Sequence, residues 1–310
     1  MSGARKSEKE IDAIIKKAKK DGRFKEDVNS GGRYGGRIAL ALQPTDNLTI
    51  TPRVVFQSIE TDGFNREEVY NLFANPFTTT RPPVRLGERE QYLRLDEAFE
   101  DDTMIADLVV NWSLDSVDVT YAGSYVDREI LASRDASALT GSVSVDLGFP
   151  EAAVLIPSNL RDTTDLQQTT HELRLASNAD GPFNWVVGGF FSDVEREYAQ
   201  RLPTPGYDAV TDAVLGAGTA AAVSNGYGPD SPYNSDLPYD IEQLALFGEL
   251  SYDITDRLNV TLGGRYYDFE EERRFTTGGL FSNGDDQVDS TSSDGFNPRL
   301  LVSYDVSDEM

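Results

Sequence analysis

The sequence predicts an all-β protein, an antiparallel up-and-down transmembrane β-barrel represented by about nine strands behind a short N-terminal helical leader. Three observations carry this. Apolar and polar residues alternate with period two over nine segments, the signature of strands with one apolar face. Tight turns and long polar loops succeed one another strictly, which puts the two kinds of connection at opposite ends of the sheet. Aromatic residues collect at the ends of the apolar face, where a membrane barrel carries its interfacial girdles.

Residues 1–26 are set apart by composition, with nine Lys/Arg against five Asp/Glu. Within them Ser7–Lys20 reads as a short basic amphipathic helix, with Ile11, Ile14, Ile15 and Ala18 on one side. Its apolar patch is too short for the h-region of a signal peptide. From Arg33 the period becomes two. In RIALALQ, Ile38, Leu40 and Leu42 share a face, and LTITPRVVFQ places Leu48, Ile50, Pro52, Val54 and Phe56 together. TMIADLVVNWSL and VDVTYAGSYVDR continue the pattern, with Met104 through Trp112 and Val117 through Tyr125 at alternate positions. HELRLAS and FNWVVGGFF flank the turn NADG, QLALFGELSYD and LNVTLGGRYYDF flank ITDR, and PRLLVSYD closes the series.

Tight turns are expected near Pro44–Asn47, Leu114–Ser116, Asn178–Gly181, Ile254–Arg257 and Val306–Asp308, and long loops at about 61–89, 132–166, 199–237 and 276–295. Glu90–Leu114 and Leu258–Phe275 read as long strands, well past the usual five or six residues. Trp112, Tyr252 and Tyr304 stand just before tight turns on the apolar face, and Tyr125 and Tyr266 stand at its far end. The opposite face is polar and carries Arg37, Arg53, Arg128, Arg174, Arg265 and Arg299, the candidate residues of a polar lumen. A soluble antiparallel sheet with one wet face accounts for the alternation alone. It leaves the segregated connections and the placed aromatics without a cause.

Composition narrows the function. With 53 acidic and 28 basic residues the chain lacks the basic face of a nucleic-acid binder. It has no cysteine and a single histidine, His171, so neither a disulfide framework nor a His/Cys metal centre is on offer. GGRYGG at 31–36 lacks the Lys-Ser/Thr of a phosphate loop and opens a strand, where glycine relieves crowding. His171 has no Ser or Cys motif beside it and reads as structural or interfacial. The acidic loop SNGDDQVDS lacks EF-hand spacing and reads as solvated. These readings leave no catalytic residue, no metal site and no cofactor.

The runs QQTTHELRLASNADGPFNWVVGGFFSDVERE, QLALFGELSYDITDRLNVTLGGRYYDFEEERRF and DGFNPRLLVSYDVSDEM resemble the barrel of TonB-dependent outer-membrane receptors, in the branch abundant in sphingomonad- and caulobacter-like bacteria. The likeness covers roughly residues 27–310. It implies a 22-stranded barrel around a plug domain in the outer membrane of a Gram-negative bacterium. It further implies a scarce small ligand such as a ferric siderophore, outer-membrane lipid and the TonB complex as partners, and transport rather than catalysis. No plug-like segment or TonB box is recognised before Arg33, and the last turn has no strand after it, so the chain reads as a fragment of such a receptor. The same barrel physics would serve a passive porin or surface protein, and a soluble β-rich binding module is the remaining alternative.

Overall fold

The computed structural model describes residues 26–67 and 88–306. The expected leader helix lies outside them, as does most of the last turn. Ten strands form one sheet: β1 (Gly31–Ala39), β2 (Leu42–Thr45), β3 (Leu48–Thr61), β4 (Ala98–Ser113), β5 (Val117–Asp135), β6 (Asn159–Ser177), β7 (Phe183–Arg201), β8 (Asn234–Thr255), β9 (Leu258–Gly278) and β10 (Asp286–Tyr304). Every pairing is antiparallel, and the spatial order follows the chain from β3 to β10. The tenth strand arises because the first is interrupted. β1 pairs with Arg53–Thr61 of β3, and β2 pairs with its opposite end, so the two share one place in the sheet.

The connections at one end are short, as expected: Asp46–Asn47, Leu114–Ser116, 178–182 and Asp256–Arg257. At the other end the sequence reading needs correction. Strands expected to stop near 132, 199 and 276 continue to Asp135, Arg201 and Gly278, and β6, β8 and β10 begin earlier than expected. Their outer halves are polar on both faces, as in RDTTDLQQTT of β6 and DQVDSTSSDG of β10, so no apolar alternation marks them. In contrast, the expected long strand from Glu90 begins only at Ala98. The backbone before it is held by side chains instead: the Asp135 carboxylate accepts from the amides of Arg94 and Leu95, and Glu97 accepts from Arg66 and from the Asp135 amide.

The long connections also carry helices: α1 (Ser137–Asp146), α2 (Glu151–Val154), α3 (Tyr207–Leu215) and α4 (Thr219–Val223). They gather around the buried residues Phe149, Ala153 and Tyr207, against which Ile156, Val210, Leu280 and Phe281 pack. Tyr207 is the hub. Its ring stacks on Phe149 at 5.7 Å and meets Phe281 edge-on at 5.5 Å. Its hydroxyl lies 2.7 Å from that of Ser144 on α1. Three successive connections, 136–158, 202–233 and 279–285, are thereby tied into one cap.

Candidate functional site

Cross-strand register decides which residues share a face, because directly opposed residues in a ladder point the same way. The row Leu48–Trp112–Val119–Leu175–Val187–Gly248–Gly264–Pro298 crosses eight strands without leaving the apolar face. All nine alternating segments read from the sequence therefore combine into one continuous apolar surface. Much of it is exposed, including Leu246, Leu250, Leu262, Leu300 and Tyr304 at half or more of their full accessibility.

This surface is a band with two edges. Toward the long connections it ends at Phe56, Met104, Tyr125, Phe191, Leu244, Tyr266 and Phe296. The next position on that face is a carboxylate on six strands: Asp102, Asp127, Asp193, Glu242, Asp268 and Asp294. The row through Met104 reaches Ser290 on β10, yet the edge there is Phe296, six residues nearer the short turns after six strand steps. About one residue of slip per strand, roughly 3.4 Å on a spacing of about 4.8 Å, means strands inclined by roughly 35° to the band. Phe296 to Tyr304 is eight residues. At about 3.4 Å each, and with that tilt, the band is roughly 22 Å tall, close to the ~25 Å of transmembrane barrels.

The five aromatics singled out from the sequence fall at these edges. Trp112, Tyr252 and Tyr304 lie at the short-turn edge. Tyr125 and Tyr266 lie at the other, and each hydroxyl donates to the first carboxylate beyond it, Asp127 at 3.2 Å and Asp268 at 3.5 Å. His171 sits on this face within the sheet, 2.7 Å from the Tyr121 hydroxyl through Nδ1. The phenol reaches it by lying across Gly123, where any side chain would collide with the ring.

The six arginines all lie on the opposite face, and four of them are engaged. Arg53 pairs with Asp107 at 2.7 Å, Arg128 grips Asp101 through two bonds of 2.9 and 2.6 Å, Arg174 pairs with Glu172, and Arg299 pairs with Glu249 at 2.6 Å. Arg265 lies over the Phe190 ring at 5.8 Å, and Arg37 has no carboxylate partner among the described residues. The polar wall is thus largely neutralised within itself. On the outward face beyond the band Asp236 pairs with Arg201 at 2.6 Å and Asp286 with Arg274 at 2.8 Å, but Asp193, Glu242 and Glu270 stand directly opposite one another on three adjacent strands. Like charges so placed repel, and with Asp102, Asp127, Asp268 and Asp294 they make an acidic collar.

Sequence reasoning missed the cap, whose elements have no long periodic pattern. Asp212 accepts amide hydrogens from Ala220 (2.9 Å) and Gly218 (3.0 Å), and these bonds hold its carboxyl below the usual range. Tyr227 donates to Asp236 at 2.9 Å beneath the Arg201 guanidinium, and burial together with that carboxylate pushes its phenol up to about 12. Among the described residues no group of three or more His, Cys, Asp or Glu is arranged to hold a metal ion.

Comparison with known proteins agrees with this geometry. Three solved receptors superpose on the chain at 13% identity, which speaks to the fold alone. They are the ferric yersiniabactin uptake receptor FyuA from Yersinia pestis (TM-score 0.58), the siderophore receptor PiuA from Acinetobacter baumannii (0.59) and the unliganded ferric citrate transporter FecA (0.56). The matches cover 89%, 91% and 91% of this chain and only 35%, 41% and 35% of those receptors. Comparison with curated protein sequences gives no match. The family model for the TonB dependent receptor-like β-barrel matches residues 42–310, the whole run of strands from β2 onward, and the chain accordingly belongs to the TonB-dependent receptor β-barrel family.

Proposed function

We propose that this chain is barrel wall of an outer-membrane receptor of a Gram-negative bacterium that takes up a scarce iron–siderophore by energised transport. The observation that carries the reading is the division of the sheet into an apolar band of membrane height and a polar, internally ion-paired wall. The band would face lipid, with Trp112, Tyr125, Tyr252, Tyr266 and Tyr304 at the two interfaces. Arg37, Arg53, Arg128, Arg174, Arg265 and Arg299 would line the passage, where Arg37 and Arg265 have no carboxylate partner among the described residues. Relatives whose names specify ferric yersiniabactin and ferric citrate support the ligand class. The wording DITDRL and FNPR supports the sphingomonad- and caulobacter-like branch. The wall performs no bond chemistry, and the TonB complex would supply the energy.

The test is uptake of radiolabelled ferric siderophores by iron-starved cells that make a receptor containing this wall. Accumulation that stops when the proton-motive force is dissipated is expected. Entry indifferent to the uncoupler would favour a passive pore instead.

A further inference from the structure

Beyond the band, on the polar face, Arg196 of β7 stands directly opposite Tyr239 of β8, and Tyr198 follows it two residues along the same face. Its guanidinium carbon lies 5.4 Å from the Tyr198 ring centroid and 5.5 Å from that of Tyr239. The charged groups around it are already committed. Asp162 is held by Arg134 and by the Gln200 amide at 2.7 Å, and Arg273, beyond Tyr239 in the same row, is held by Asp289 at 2.8 Å. On the β6 side the opposed residue is Leu166. Arg196 is therefore a half-buried cation framed by two phenol rings, with no described carboxylate in salt-bridge range. It lies five residues past Phe191, the band's edge on β7. At about 3.4 Å per residue and the strand tilt, that is roughly 14 Å above the band, toward the cap.

Ring contacts of this kind are weak at exposed sites, and they neither neutralise the charge nor use the guanidinium's N–H donors. The open fork of an arginine matches paired anionic oxygens, and aromatic rings favour a ligand that brings rings of its own. We propose that Arg196, Tyr198 and Tyr239 form a recognition site for an anionic, ring-bearing iron chelate of the catecholate type, in preference to a neutral aliphatic hydroxamate. This site rests on the receptor reading above and narrows its ligand.

Two probes test it on a receptor containing this wall, purified in detergent: the anionic iron(III)–catechol complex and the neutral iron(III)–acetohydroxamate complex. Circular dichroism and heat-modifiable gel mobility confirm that each variant has folded. The wild-type receptor should bind the catechol complex saturably and more tightly than the hydroxamate. Arg196→Gln should weaken that binding about ten-fold or more, as loss of a charged hydrogen-bond partner implies. Tyr239→Leu should weaken it too, and Tyr239→Phe should preserve it. Arg274→Gln, on the outward face where Asp286 pairs with the native arginine at 2.8 Å, is the neutral control. Equal affinity for both complexes, or an Arg196→Gln variant no weaker than the control, overturns the site and leaves the receptor reading standing. A folded wild-type receptor that binds neither ferric complex removes the ferric-ligand reading, and the site goes with it.

Discussion

The lower and upper halves of this sheet are built from the same strands and stabilised in different ways. Between the short turns and the edge at Phe296, one face is apolar throughout and the other is an ion-paired polar wall. Beyond that edge both faces are mainly polar, the outward one is acidic, and the buried apolar cluster is the cap around Tyr207. The difference is the one expected of a wall standing in a membrane as proposed, with the environment changing at the edge. An exposed Leu262 is costly in water and favourable in lipid, whereas the opposed carboxylates Glu242 and Glu270 are tolerable only where water screens them.

That division can be broken from either side. Tyr207→Ala should have the largest effect, because it empties the centre of the cap; loss of a large buried aromatic costs about 3–5 kcal/mol. Hydrogen exchange should rise in 136–158, 202–233 and 279–285 and stay unchanged in β3–β5 below the edge. Equal loosening in both halves would mean that they are one cooperative unit. Next comes Leu262→Arg in the middle of the band, with an expected cost of about 2–4 kcal/mol in denaturant titrations of the vesicle-inserted chain. Arginine at Glu270, on the same strand and face but beyond the edge, should be neutral or slightly stabilising, since it removes a like charge opposite Glu242.

The smallest effect separates the halves by pH. The Tyr227 phenol is raised above its ordinary 10.0 to about 12, so the folded cap favours the neutral form. Its contribution is fully present below about pH 10 and is lost as pH rises toward 12. Burial raises the Tyr207 phenol as well, so absorbance at 295 nm should show more than one cap tyrosine titrating late, and Tyr227→Phe should remove one tyrosine's share of that late phase. At acid pH the sign reverses for Asp212. Its lowered carboxyl supports the α3–α4 turn above the ordinary carboxylate range, and that support fades as pH falls through the folded value.

The same division explains what could be read from the sequence. The lower half is legible because one apolar and one polar face force alternation, and segments such as LNVTLGGRYYDF read as strands on that pattern alone. The aromatics at both edges were legible for the same reason. The upper half was not, because β6 between Asn159 and Gln168 and β10 between Asp286 and Asp294 are mostly polar at both parities, with isolated Leu160, Leu166 and Val288, and resemble loops. The cap escaped because its core is assembled from Phe149, Tyr207 and Phe281, which are far apart in sequence. The six arginines alternate with the apolar positions and so share a face, but their carboxylate partners, such as Glu249 for Arg299, depend on a register that periodicity does not supply.

The central claim is that the apolar band ends abruptly at the row of first carboxylates. The chain has no cysteine, so single cysteines can be placed at alternate positions of β9 from Leu258 to Glu272 and labelled with nitroxides. In lipid vesicles, labels from Leu258 to Tyr266 should relax with oxygen and resist a water-soluble nickel chelate, and the preference should invert between Tyr266 and Asp268. Labels that meet the chelate equally along the whole face would contradict the account.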